Sequence, residues 1–130
     1  MNTEQISQLR RDNPRQFDAK VAEAMGCEAR CCQGGVWLVW TPDKKAISDD
    51  GEVLPFYHCN AHEDYSVLEW VSEKPDLAPE FARWLYWTLG SNAEEQDFHA
   101  TEENIACFYR CGDYSKALLL ATQGKENGDG

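Results

Sequence analysis

At 130 residues the chain fits one domain with a modest core. Its 42% hydrophobic and 12% aromatic residues, five Trp among them, exclude an intrinsically disordered chain. A formal charge of -11 argues for solubility and against nucleic acid as a direct ligand, and no stretch approaches the roughly 20 apolar residues that a membrane-spanning helix needs.

The charge is unevenly placed. Residues 1–45 carry seven Lys/Arg against six Asp/Glu, whereas residues 46–130 carry five against seventeen, so the acidity belongs to the later two thirds. Six cysteines could signal a disulfide scaffold, but the first residues lack an apolar run and a cleavage site. The expectation is a cytoplasmic protein with reduced thiols.

In chain order, residues 3–11 suit a short polar helix with Thr3 as cap and Ile6 and Leu9 on one face. Asn13 before Pro14 opens the first core helix, in which Phe17, Val21, Ala24 and Met25 repeat at helical spacing until Gly26 stops it. Residues 26–35 read as a connector holding Cys27, Cys31 and Cys32 and ending in Gly34-Gly35. The following run, 36–41, is β-branched and aromatic and is the best strand signal in the chain. Residues 44–47 and 52–57 are weaker strands around the Asp50-Gly51 hairpin signal, enough to complete a small antiparallel sheet.

Asn60 caps a second core helix, with Glu63 reaching back and Glu63 and Asp64 complementing the helix dipole. Its inward stripe is Tyr65, Leu68 and Val71 or Ser72, with Trp70 at the flank, and Pro75 ends it. A third helix carries Phe81, Trp84, Leu85, Thr88 and Leu89 and stops at Gly90, with a strand over 83–89 as the alternative because Trp, Tyr and Thr favour strands. Residues 91–98 read as an acidic loop. Thr101 caps a fourth helix with Ile105, Phe108 and Tyr109, broken near Gly112. Asp113 then restarts a helix over 114–122 with Ala117, Leu118 and Leu120 or Ala121 inward. The whole is a single compact α+β domain over 1–123, helices packed in layers around a small antiparallel sheet in the manner of an α-β-α sandwich. Residues 124–130 form a disordered tail.

Four segments together resemble a known family. They are Phe17-Asp-Ala-Lys-Val-Ala-Glu-Ala-Met-Gly-Cys27, the Trp-containing strand with Thr41-Pro42, Pro55-Phe-Tyr-His-Cys-Asn-Ala-His62 leading into a helix with Trp70, and Ala100-Thr-Glu-Glu-Asn-Ile-Ala-Cys-Phe-Tyr-Arg110. This order is similar to the phage ABA sandwich domain family, over roughly residues 14–110. The resemblance implies an α-β-α layered fold and a bacteriophage or prophage origin, and it carries over no catalytic residue. Relatives would offer a further strand where this chain has its helical 79–90 region, which leaves the strand count open.

Two chemistries can be drawn from the side chains. The Cys and His residues could hold zinc: His58, Cys59 and His62 crowd one junction, and Cys107 and Cys111 stand at the spacing of one helical turn. No Cys-x-x-Cys occurs, and buried structural cysteine is the commoner state, so no cofactor is expected. Cys59 as a nucleophile is disfavoured by Glu63 and Asp64, which raise a nearby thiol pKa. The second chemistry is recognition. Glu94, Glu95, Asp97, Glu102 and Glu103, with Asp49, Asp50 and Glu52 as a second acidic turn, could meet a basic groove, and Trp84 and Trp87 could supply its aromatic anchor. The sequence therefore points to a non-enzymatic, phage-type protein whose acidic surface binds a host protein or protein–nucleic-acid complex. Inhibition of a defence complex such as CRISPR-Cas is its most specific form.

Overall fold

The computed structural model describes residues 1–42 and 51–127. The strand expected over 44–47, the hairpin turn with Asp49 and Asp50, and residues 128–130 lie outside the described residues. The chain is α+β with a small antiparallel sheet, as its sequence predicts.

Helix α1 (Thr3–Asp12) is capped by Asn2, not Thr3: the Asn2 side chain accepts from the Gln5 N–H and the Gln5 side chain answers the Asn2 N–H, a reciprocal capping box. Helix α2 (Pro14–Ala24) follows at once through Asn13, with Pro14 in the first turn, and Gly26 ends it at φ +89°, where a Cβ is disfavoured. Its buried face is Phe17, Asp18, Ala19, Val21 and Ala22. Removing a phenyl ring such as that of Phe17 from water is worth about 2–3 kcal/mol.

The stretch read as a cysteine-bearing connector contains a strand, β1 (Glu28–Cys31), which pairs antiparallel with β2 (Trp37–Trp40) in the register Glu28 to Trp40 and Cys31 to Trp37. Its alternation is too short and too polar to register as a period, and it is the partner strand that makes it one. Gly34 and Gly35, at φ +82° and +77°, let the chain reverse between them. The edge strand β3 (Glu52–Val53) pairs Leu38 with Val53 and Val39 with Glu52. Helix α2 packs on β1 and β2. The remaining helices gather around the last helix rather than around the sheet.

Helix α3 (Ala61–Ser72) is capped by Asn60, which accepts from the Glu63 N–H. Its inward stripe is Asp64, Val67 and Val71, one residue out of phase with the expected Tyr65 face, and Tyr65 is exposed. Helix α4 (Ala78–Glu95) runs straight through Gly90, so residues 83–89 are helix and not strand, and Glu94 and Glu95 are helical rather than part of a loop. Phe81, Thr88, Leu89, Asn92 and Ala93 form one continuous buried face, and that face outweighs the roughly 1 kcal/mol that an interior glycine costs. The expected fourth helix is only a single 3-10 turn, Ile105–Phe108.

Helix α5 (Asp113–Asn127) packs against α1, α2, α3 and α4. Five consecutive residues, Ala117, Leu118, Leu119, Leu120 and Ala121, are buried, the pattern of a helix covered on every side. It extends into the segment read as a tail. The central core joins Ile6, Phe17, Val21, Leu54, Val67, Val71, Phe81 and these residues of α5. Among the described residues no helix is long and apolar enough to cross a membrane.

Candidate functional site

Among the described residues three aspartates are buried in the helical body, and each organises a different junction. Asp18 on α2 holds the chain after the sheet. Its Oδ1 accepts from the His58 N–H at 2.9 Å, and its Oδ2 lies 2.7 Å from both Arg15 Nη1 and His58 Nδ1. Arg15 also donates to the carbonyls of Leu54 at 2.6 Å and Pro55 at 3.1 Å, and its guanidinium lies 3.9 Å from the centroid of the Phe56 ring. Burial pushes the Asp18 carboxyl above the usual carboxylate range, against the pull of the His58 and Arg15 hydrogen bonds.

Asp64 sits at the N-terminus of α5. It accepts from the N–H groups of Gly112 at 3.0 Å, Tyr114 at 3.2 Å and Ser115 at 2.9 Å, and from the hydroxyls of Tyr109 and Ser115, each at 2.6 Å. The open donors of the helix start are thus satisfied from another element. Asp113 completes the set: Oδ1 receives Arg10 at 3.2 Å, while Oδ2 receives Asn92 Nδ2 at 2.8 Å and the Arg110 N–H at 2.7 Å.

These carboxylates escape the sequence reading because charged residues are taken as solvated unless the pattern says otherwise. The pattern does speak at Asp64, which shares its helix face with Val67 and Val71, and at Asp18, which shares one with Val21 and Ala22. An ionisable residue on an apolar stripe is the signal that was available.

The predicted metal ligands do not assemble. His58 is turned to Asp18, Cys59 and His62 are exposed, and Cys107 stands exposed on the 3-10 turn, so no α-helical turn relates it to Cys111. Among the described residues no group of three or more His, Cys, Asp or Glu could hold a metal ion. Burial, with Asp64 and Cys59 adding to it, pushes the Cys111 thiol up and so makes it less nucleophilic.

The predicted recognition residues are partly drawn together. Glu94, Glu95 and Asp97 are exposed at the C-terminal end of α4, and Asp97 reverses the chain at φ +62°. Glu102 and Glu103 are exposed on the segment whose 3-10 turn packs back on α4. Trp87 is 44% exposed and, at i and i+7, shares the face of Glu94. Trp84 is not an exposed anchor: its indole N–H donates to Glu80 at 3.1 Å and its ring lies 5.8 Å from that of Trp87, partly packed on the core. Glu95 is engaged by Arg110 at 2.8 Å. Glu52 is exposed on β3, apart from this group in the chain, and Asp49 and Asp50 lie outside the described residues.

Comparison with known proteins adds no analogue: no family model, no curated protein and no solved structure matches the chain. Function must therefore be argued from the arrangement of its own side chains.

Proposed function

We propose that this chain is a non-enzymatic binding protein that docks an acidic, aromatic surface onto a basic region of a partner protein. The observation that carries the reading is the exposed face of α4, where Trp87 and Glu94 stand in line, with Asp97 and exposed Phe98 just beyond the helix end. An aromatic ring flanked by carboxylates offers the two ingredients of such contacts: apolar area at the centre and charge that steers a basic partner. The net charge of -11 extends that steering over the whole molecule.

The resemblance to phage proteins supports a finer form, in which the partner is a host complex that handles nucleic acid and the acidic face takes the place of phosphates. Purified effector complexes, such as CRISPR-Cas nucleases loaded with guide RNA, are suitable baits. A variant combining Trp87→Ala, Glu94→Lys and Asp97→Lys should lose about tenfold or more in affinity, and wild-type binding should weaken steeply with salt. Equal binding by variant and wild type would remove this surface as the contact.

A further inference from the structure

Beside the acidic face of α4 lies a cleft of the opposite electrostatic character. It encloses about 330 Å³ and is lined by Ser7, Arg10, Arg11, His58, Asn92, Glu95, Arg110 and Lys116. Four of these side chains are cationic and one is a carboxylate, in a protein whose net charge is -11. With the buried Asp113 beneath Arg10 included, the local balance is still positive.

The cations are held there by the fold. Arg10 donates to Asp113 and to the Cys111 carbonyl, and Gly112 leaves room for it, since a Cβ there would stand 2.7 Å from Arg10 Nη2. Arg110 lies at the rim against Glu95, 45% and 65% exposed respectively, a pair that solvent screens and that exchanges partners at little cost. Lys116 is the odd member. It is partly buried on α5, and Asp113, one turn before it, already has both oxygens committed to Arg10, Asn92 and the Arg110 N–H. Among the described residues Lys116 makes no direct ion pair: Asp113 and Glu95 act on its ammonium only from farther off, and the Trp87 ring lies 5.8 Å away. Burial, and then the Arg10 guanidinium, hold Lys116 below the usual lysine range against the opposing pull of Asp113 and Glu95. An ammonium kept half out of water beside two guanidiniums, with its neighbouring carboxylates held by Arg10 and Arg110, is stabilised when a further anion joins it.

From this geometry we infer that the cleft is an anion site for the phosphoryl group of a small phosphorylated molecule, with Lys116 and Arg110 as its principal ligands, Arg10 and Asn92 as its floor. Guanidinium groups suit a phosphoryl group because their paired N–H donors match two of its oxygens, while the lysine supplies a point charge. The volume is within the range of small-ligand pockets and exceeds what a bare oxyanion fills.

The test is calorimetric titration of the whole chain with inorganic phosphate and, separately, with glucose 6-phosphate, against chloride at matched ionic strength. Saturable binding of either is expected, and Lys116→Met and Arg110→Gln should each weaken it by about tenfold or more. Lys116→Met removes the charge but keeps a stem of similar length in the half-buried site, and circular dichroism checks that it folds as the wild type does. Tighter binding of the sugar phosphate would assign the remaining volume to an organic moiety; binding of inorganic phosphate alone would still support the oxyanion site. No saturable binding at millimolar ligand, or unaltered binding by Lys116→Met, would overturn the inference. So would capture of an oligonucleotide with no response to either small ligand.

Discussion

Asp64 shows how much one side chain can decide. Its two oxygens accept from three backbone N–H groups and two hydroxyls contributed by residues 109–115, and so join α3 to the start of α5. Replacement by alanine leaves those donors in a dry junction, each unmade bond costing about 1–3 kcal/mol. Asp64→Ala should therefore lose at least about 3 kcal/mol in urea unfolding, a large share of a small domain's total of roughly 5–15. A loss below about 1 kcal/mol would show that water replaces the carboxylate there. The residue was visible in the sequence as a charge near a helix start, which is where the dipole argument places it. The dipole of α3 acts at its own start, whereas the N-terminus that Asp64 serves is that of α5, some fifty residues later in the chain.

At the scale of elements, two glycines behave in opposite ways. Gly112, at φ +97°, turns the chain between the 3-10 turn and α5, and a side chain there would meet Arg10. Gly112→Ala should cost roughly 2 kcal/mol or more, combining the left-handed backbone with the steric conflict. Gly90 lies inside α4 with open space where a Cβ would stand, so Gly90→Ala should stabilise by about 0.5–1 kcal/mol. Thermal unfolding of the pair gives the contrast, and a destabilising Gly90→Ala would contradict the uninterrupted helix. The sequence offered the same letter at both sites. Read locally, Gly90 is a stop; what carries α4 past it is the buried face from Phe81 to Ala93, a tertiary effect that no window around residue 90 contains. The converse holds at residues 101–110, where cap and periodicity predict a helix: the reciprocal Thr101–Asn104 cap forms, yet only a 3-10 turn follows it before the chain turns at Gly112 into α5.

For the molecule as a whole, one buried and two half-buried phenols should weaken the fold at alkaline pH. Burial pushes Tyr57, Tyr109 and Tyr114 above the usual tyrosine range, and for Tyr109 the hydrogen bond to Asp64 adds to it. The folded chain therefore keeps protons that the unfolded chain releases near pH 10. This contribution to stability is complete below about pH 10 and is lost as the pH rises further. In an alkaline titration followed by tyrosinate absorbance, part of the signal should appear only as helical circular dichroism disappears. Full ionisation of all five tyrosines with the helices intact would contradict it.

The sequence by itself determined the class of the molecule and most of its helices, because those rest on short-range causes. Asn13-Pro14, Gly26, Asn60 and the apolar run of 117–121 act within a turn or two of themselves, and the aromatic run 37–40 has no other use than a strand. Tertiary structure alone decided which charges are structural and which are free to act. Asp18, Asp64 and Asp113 are spent inside the fold on partners distant in sequence. Glu94 and Asp97 are left to solvent, and Arg10, Arg110 and Lys116 are drawn from both ends of the chain to one cleft. Burial and the identity of an electrostatic partner depend on distances between elements, and only packing sets those.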